Sequence, residues 1–319
     1  MKKLFFKYSL FTIMYICVLA SSVYLIPFGN DFIPYSEIFS NNSYERIELG
    51  FLNLIYIFKF FNINNLLFMW IIIISFTMYL KMNIVYKLNP NNQTLFLILY
   101  LMSYYLLLEN VQLRACISLS LVIFAIYKLS DNKYIFSFIF IILAIFFHKS
   151  SLLFLIIFPL YYFLIRNKID LLFTIFCIFT IAVYFVLDEF LFDFLIELNP
   201  LVIEYYNEGI SIGFNFFSIS QILIYLFVFT GYFNYNDGTI FSKLIYILII
   251  ILLFISMCLY FIPTVAIRIS DMIGLFTIFY LMSFNLYKFK LKRLFLIIIV
   301  FIISIHKFIS FMFFFPIFK

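Results

Sequence analysis

Residues 244–262 read LIYILIIILLFISMCLYFI, an apolar run that contains one serine and no charged side chain. An α-helix of about 20 such residues is long enough to cross the hydrocarbon core of a bilayer. The stretch therefore predicts a membrane-spanning helix, and comparable runs recur along the sequence. We expect an all-α, polytopic membrane protein with about eleven spans. The predicted spans lie at approximately 8–27, 66–86, 93–108, 111–129, 134–148, 150–165, 170–187, 218–233, 244–262, 272–287 and 294–316.

The composition favours the same class of protein. Of the 319 residues, 66% are hydrophobic and 11% are charged, whereas a soluble domain carries about 25% charged residues. This composition excludes a cytosolic enzyme, a secreted disulfide scaffold and a disordered chain. The four cysteines lie far apart in apolar runs without a C-x-x-C pair, so they predict neither disulfides nor a metal site. We expect one integral-membrane domain over residues 1–319.

Two segments near the N-terminus have their own signatures. The first span follows three lysines and resembles a signal peptide, but no clean cleavage site precedes the next loop, so we expect a retained signal-anchor. Segment 51–61 is apolar, but it is short and contains Lys59. These properties favour a re-entrant or interfacial helix over a full span.

The distribution of charge predicts the orientation of the chain. With the N-terminus inside, the cytoplasmic segments hold 14 of the 21 basic residues but only three acidic ones. The positive-inside rule therefore favours a cytoplasmic N-terminus and an external C-terminus, and it explains the net charge of +6 without nucleic-acid binding. The 14 basic residues are Lys2, Lys3, Lys7, Lys81, Lys87, Lys128, Lys133, Arg166, Lys168, Lys243, Lys288, Lys290, Lys292 and Arg293.

Five basic side chains lie on the predicted outer face, against this rule. An arginine near or inside the membrane is costly unless it pairs with an acid or faces a water-filled cavity. The planar donor fork of arginine matches phosphate oxygens. The five residues therefore predict an outward-facing anion site suited to a lipid pyrophosphate. They are Arg46 in the first outer loop, Arg114 at the start of the fourth span, His148 and Lys149 in the turn after the fifth, and Arg268 before the tenth.

Structural explanations stay open for these residues. Arg46 has acidic neighbours on both sides and could be a solvated loop charge. Arg268 lies three residues before Asp271, a helical spacing that allows an ion pair. His148 could be an interfacial residue that hydrogen-bonds to backbone. Arg114 has the weakest structural explanation, because Glu109 is its only acidic neighbour in sequence and a deeply apolar run follows.

Five short motifs occur in a fixed order along the chain. They read GNDF at 29–32 followed by Tyr35, RIELGF at 46–51, QLRACIS at 112–118, FHKSS at 147–151 and RISD at 268–271. Together they resemble the G-x-D-x-x-x-Y, R-x-E-x-G-(Y/F), Q-x-R-x-x-(I/L)-A, F-H-x-S-(A/S) and R-(I/L)-x-x-(Y/F) elements of the EpsG-like family, relatives of the Wzy polysaccharide polymerases. The resemblance covers roughly residues 28–290. Ser118 replaces the usual alanine, and Met272 replaces the usual aromatic residue.

The resemblance implies a metal-independent, cofactor-free membrane glycosyltransferase of the GT-C type in the bacterial plasma membrane. Such a polymerase joins repeat units carried on undecaprenyl pyrophosphate at the outer face. The implied partners are this lipid-linked oligosaccharide, membrane lipid, and a flippase and chain-length regulator of the same pathway. The outer loops at about 28–50 and 188–217 are expected to contribute to the site.

On this interpretation, the two arginines Arg114 and Arg268 bind the pyrophosphate and His148 is a base or a phosphate donor. The absence of a D-x-D motif and the presence of only two histidines agree with chemistry that uses no metal. The predicted substrate-binding residues are Asp31, Tyr35, Arg46, Glu48, Gln112, Lys149 and Asp271.

Other functions stay open on the sequence alone. An O-antigen ligase uses the same donor, but its family typically has a large outer loop with Arg and His residues, whereas the loop at 188–217 holds no basic residue. A flippase or transporter of lipid-linked oligosaccharide often shows repeats and broken helices in matching halves, and no repeat is visible here. An O-acyltransferase would carry a histidine pair near its first spans, which this chain lacks.

Overall fold

The computed structural model describes residues 20–21, 26–28, 32–41, 48–63, 65–109, 111–165, 219–259, 262–286 and 291–314. These residues form helices and turns and contain no strand, which confirms the all-α prediction for the part described. The α-helices are α1 (Phe32–Asn41), α2 (Leu49–Phe60), α3 (Leu66–Leu88), α4 (Gln93–Ser103), α5 (Leu113–Ser130), α6 (Tyr134–Phe147), α7 (Ile157–Ile165), α8 (Ile219–Tyr235), α9 (Ile240–Cys258), α10 (Pro263–Met282) and α11 (Leu291–Phe314).

Five of the described helices are long and apolar enough to cross a membrane, namely α3, α5, α9, α10 and α11. The prediction of a multi-pass membrane protein is therefore confirmed. The predicted spans 8–27 and 170–187 lie outside the described residues, and the total of eleven stays a prediction. Segment 51–61 corresponds to α2 and its C-cap residue Phe61, and this helix of 12 residues is too short to span a bilayer.

Some predicted boundaries are wrong. The tenth span was expected at 272–287, but α10 begins nine residues earlier at Pro263, and proline is favoured in the first turn of a helix. Arg268 consequently lies inside α10 and does not precede it. The span 93–108 divides into α4 and a π-helical turn at Tyr105–Glu109. The span 150–165 divides into a 3₁₀ segment at Lys149–Ile156 and α7.

The chain divides into two compact units, Met1–Leu155 with Ser304–Lys319 and Ile156–Ile303. In the first unit, α5 packs against α3 and α6, α2 packs against α6, and α1 packs against α3. The side chains of α5 are buried along most of its length, so this helix forms the core of the unit. In the second unit, α9 packs against α7, α8 and α10.

A buried group of polar side chains joins α3, α4, α5 and the π turn, and we call it the Glu109 cluster. The Oε1 atom of Glu109 accepts from Lys81 Nζ at 2.7 Å and from Tyr100 Oη at 2.8 Å. Its Oε2 atom accepts from Thr77 Oγ1 and from Cys116 Sγ, each at 2.8 Å. All five side chains are buried, and every carboxylate lone pair has a donor, which is the condition under which a buried charge is tolerated.

The Glu109 cluster corrects one topological assignment. Lys81 was counted among the cytoplasmic charges, but it is fully buried in the middle of α3 and paired with Glu109. The pair removes one basic residue from the 14 and one acid from the predicted outer face. Lys87 and Lys133, which belong to the same 14 residues, are exposed near the ends of α3 and α5, and the orientation of the chain stays a prediction.

Candidate functional site

Four predicted site residues from distant parts of the first unit meet at one place, and we call them the Glu48 site. Arg114 Nη1 donates to Glu48 Oε2 in a short ion pair. Arg114 Nε donates to Tyr35 Oη at 2.6 Å. His148 Nδ1 lies 3.4 Å from Glu48 Oε1. The Glu48 carboxylate therefore bridges an arginine and a histidine, one oxygen atom to each.

Helix α2 presents Glu48 through its N-terminal cap. Glu48 has extended backbone angles, and its carbonyl accepts from the N–H groups of Phe51 and Leu52 at 3.1 and 3.2 Å. Its side chain makes no capping hydrogen bond. The carboxylate is thus free to point away from the helix, and it reaches side chains of two other elements.

Gly50 explains how α2 comes close enough to His148. A Cβ atom at this position would lie 2.7 Å from the backbone oxygen of Phe146 and 3.1 Å from the nitrogen of Phe147. Both are backbone atoms at the end of α6, which cannot move aside easily. Only glycine therefore lets the first turn of α2 touch the end of α6, where His148 follows.

The end of α6 fixes the position of His148. Its N–H donates to Ala144 O at 2.9 Å, and its carbonyl accepts from Ser151 N at 3.0 Å as the chain enters the 3₁₀ segment. The Ser151 hydroxyl makes a short, buried hydrogen bond with the hydroxyl of Ser118 in α5. The motifs at 112–118 and 147–151 are thus tied together by their serines.

Helix α1 supplies an aromatic support for Arg114. The Tyr35 ring is 3% exposed, and its centroid lies 4.9 Å from that of Phe51 and 5.5 Å from that of Trp70. The guanidinium carbon lies 5.4 Å from the centroid of Tyr35, within cation–π range. Trp70 Nε1 donates to the Glu109 carbonyl at 2.8 Å, so the Glu109 cluster supports the aromatic wall.

The electrostatics keep Glu48 ionised. Burial raises the pKa of its carboxyl, but the hydrogen bond with His148 and the charge of Arg114 outweigh burial and lower the pKa from 4.5 to about 2. The side chains of Glu48, His148 and Arg114 are 12%, 22% and 28% exposed, so the site is partly open. Within the described residues, Arg114 Nη2 and His148 Nε2 make no hydrogen bond, which leaves one donor group and one imidazole nitrogen for a ligand.

The structure corrects the sequence interpretation of Arg114. Glu109 was its only acidic neighbour in sequence, and an anionic ligand was expected to receive its charge. Glu109 instead binds Lys81, and Arg114 pairs with Glu48 from 66 positions earlier in the chain. The structural explanation for this arginine is therefore an ion pair with Glu48.

The remaining predicted site residues have different positions. Gln112 is half-buried at the N-cap of α5 without a side-chain capping bond, and Lys149 is exposed next to His148. Arg268 is exposed and Asp271 half-buried on α10 of the second unit. Asp31 and Arg46 lie outside the described residues. In the described part of the chain, no group of three or more His, Cys, Asp and Glu could hold a metal ion.

Sequence reasoning missed Gly50, Trp70 and Ser151 as residues that build the site. Gly50 had a signal, because it belongs to the RIELGF motif, but the atom that excludes a Cβ comes from α6. Ser151 lies in FHKSS, where either serine fits the pattern. Trp70 is the only tryptophan of the chain, and nothing in its apolar surroundings indicates a role.

Comparison with known proteins identifies a family for nearly the whole chain. A family model described as the EpsG family matches residues 7–317. Neither the curated proteins nor the solved structures contain a match.

Proposed function

The chain belongs to the EpsG family, and from this premise we propose that it is a polysaccharide polymerase of the bacterial plasma membrane. It joins oligosaccharide repeat units carried on undecaprenyl pyrophosphate into O-antigen, capsular polysaccharide or exopolysaccharide. The observation that carries the proposal is the meeting of Arg114, Glu48 and His148, because these residues come from three separate family motifs.

In the proposed reaction, an acceptor sugar hydroxyl attacks the anomeric carbon of the growing chain. A new C–O bond forms, the bond from that carbon to the pyrophosphate oxygen breaks, and the pyrophosphate leaves with the electron pair. Negative charge accumulates on the leaving group in the transition state. The Nη2 group of Arg114 supports this step, since a positioned donor stabilises such charge without a metal ion.

His148 serves as the general base of the proposed reaction. A carboxylate partner favours the tautomer that carries its proton on Nδ1, which leaves the Nε2 lone pair free. Nε2 accepts the proton of the acceptor hydroxyl as the new glycosidic bond forms. The carboxylate of Glu48, ionised at physiological pH, stabilises the imidazolium that results.

The proposed orientation puts the Glu48 site at the outer face of the membrane, with eleven spans and the N-terminus inside. Lys87 and Lys133 support this orientation, because they are exposed near the opposite ends of helices from the Glu48 site. The predicted roles of Asp31 and Arg46 at the sugar end, of Arg268 in pyrophosphate binding, and of Lys149 and Asp271 in substrate binding are part of the same proposal.

The decisive experiment uses purified protein in liposomes with lipid-linked repeat units. A polymerase produces a ladder of chain lengths on the lipid and releases one undecaprenyl pyrophosphate per new linkage. A ligase releases the lipid only when a different acceptor is added, and a flippase moves the units without releasing lipid. Either of these results, in place of the ladder, would contradict the proposed function.

A further inference from the structure

The guanidinium group of Arg114 can bind a phosphate through either of two pairs of nitrogen atoms, and one nitrogen of each pair already has a protein partner. Guanidinium binds two phosphate oxygens either through Nη1 and Nη2 or through Nε and Nη2. Glu48 holds Nη1 and Tyr35 holds Nε, so each edge has one free and one occupied nitrogen. A phosphate that docks on two nitrogens must therefore displace one of these protein partners.

Tyr35 is the partner that cannot yield. Its ring is 3% exposed and packs against Phe51 and Trp70. Moving its hydroxyl away from Nε would require the ring to leave this aromatic packing, and packed interiors leave little room for such a movement.

Glu48 is the partner that can yield. Its side chain is at the N-terminus of α2 without a capping bond, and its second oxygen already faces His148 Nδ1. That contact is long for a hydrogen bond, at 3.4 Å, so it has room to shorten. Two anions beside one arginine also repel each other, which drives the carboxylate toward the histidine.

We infer that the Glu48 carboxylate occupies the place of a donor phosphate oxygen on Arg114, and that binding of the pyrophosphate transfers this carboxylate to His148. The inference rests on the proposed function and specifies the order of its steps. Donor binding comes first and frees the carboxylate, which then orients His148 and stabilises its protonated form, as the acid of a catalytic triad does. Glu48 is thus a positioning residue that couples donor binding to activation of the acceptor hydroxyl.

The test separates binding from turnover with Glu48→Gln. Farnesyl pyrophosphate, a short polyprenyl pyrophosphate, is titrated into the purified full-length protein in detergent by calorimetry. An amide competes less for Arg114 than a carboxylate does, so we expect binding to tighten about threefold, a typical worth of a partly exposed ion pair. Polymer synthesis should fall on the order of 100-fold, because His148 loses its charged partner.

Four further variants serve as controls for the two measurements on Glu48→Gln. Glu37→Gln removes an exposed acid on α1 and should change neither measurement. His148→Ala should abolish synthesis and weaken binding several-fold, because the displaced carboxylate then has no second partner, whereas Arg114→Ala should abolish binding. The inference is wrong if Glu48→Gln weakens binding as Arg114→Ala does, or if Tyr35→Phe tightens binding and Glu48→Gln does not. Binding is measured without polymerisation. A failed synthesis assay with the unmodified protein would therefore contradict the proposed function, while the binding measurements would still test the transfer of the Glu48 carboxylate.

A measurement on the unmodified protein covers the case in which Glu48→Gln fails to fold. Deuterium exchange at the imidazole C2–H reports the protonation and surroundings of each histidine. The chain has two histidines, so His306 is an internal reference. We expect farnesyl pyrophosphate to change the exchange rate of His148 and to leave that of His306 unaltered. Identical deuterium-exchange rates for His148 with and without farnesyl pyrophosphate would contradict the transfer of the Glu48 carboxylate to His148.

Discussion

Arg114 occupies a position that is unfavourable for a cation. It is the second residue of α5, and the N-terminus of a helix carries partial positive charge from the aligned peptide dipoles. The carboxylate of Glu48 and the ring face of Tyr35 offset this cost. A lysine could keep the charge at this position, but it could not bind Tyr35, Glu48 and a phosphate at fixed angles. The geometry of the guanidinium, more than its charge, is what this site uses.

The first prediction therefore compares Arg114→Lys with Arg114→Ala. Lysine retains the charge but loses the planar fork, so we expect a severely shortened polymer ladder, and alanine should give none. Loss of one donor that stabilises leaving-group charge typically costs a factor of about 100 to 1,000 in rate. The ladder is measured in cells, with membrane levels of each variant checked by immunoblot. Lys133→Ala, an exposed lysine near α6, should leave the ladder unaltered.

At the scale of elements, the contact between α2 and α6 sets the distance from Glu48 to His148. Gly50→Ala would place a methyl group 2.7 Å from the Phe146 oxygen, and this backbone atom cannot move away as a side chain can. We expect a destabilisation of about 1 to 3 kcal/mol, typical of overpacking, and a loss of polymer synthesis as α2 shifts from His148. Thermal unfolding in detergent and the polymer ladder report the two effects.

Gly238→Ala is the control for Gly50. Its closest contact would be the Ser242 hydroxyl, which can rotate away, and its nearest backbone atom, Tyr235 O, would lie 3.1 Å away, farther than the 2.7 Å at Gly50, so synthesis should persist. Full activity of Gly50→Ala would show that the close approach of α2 to α6 is not needed.

The Glu109 cluster joins three helices and a π turn through one carboxylate. Glu109→Gln should leave Lys81 buried without a charged partner and destabilise the protein by about 3 to 5 kcal/mol. Replacing both residues, with Lys81→Met and Glu109→Leu, should recover part of this loss because no uncompensated charge remains. Thermal unfolding is the measurement. Lys87→Met, at the exposed end of the same helix, should be neutral, and an equally stable Glu109→Gln would exclude the ion pair as a source of stability.

A helix could be predicted from the sequence where a local pattern of apolar residues is enough to specify it. Long, predominantly apolar segments predicted α3, α5 and α9, because the hydrophobicity of a segment of this length specifies a spanning helix. The π turn that ends at Glu109 was not predictable, since the four donors that converge on the Glu109 carboxylate come from other segments of the chain. The pairing of Arg114 with Glu48 was likewise hidden, because it requires the packing of α2 on α6 and not a local spacing.

At the scale of the whole molecule, each unit taken by itself has basic side chains in segments that the sequence predicted to be cytoplasmic. In the first, the Glu48 site lies near the start of α5, and Lys87 and Lys133 are exposed toward the other ends of the helices. In the second, Lys292 Nζ lies 3.0 Å from Asp237, near the end of α8 and the start of α11. Both lysine-rich ends belong to segments that the sequence predicted to be cytoplasmic.

The last prediction tests this orientation by labelling single cysteines with a membrane-impermeant maleimide in intact cells. The background replaces Cys116 with serine, since its side chain donates to Glu109, and the other three cysteines with alanine. Ser40→Cys, exposed on α1, should react from outside, because α1 precedes the Glu48 site on the predicted outer face. Asp131→Cys, exposed between α5 and α6, should react only after the membrane is permeabilised, because its neighbours Lys128 and Lys133 follow the positive-inside rule. Labelling of position 131 in intact cells would show that the orientation is inverted. Arg114 would then lie at the cytoplasmic face, which would exclude polymerisation on the outer leaflet.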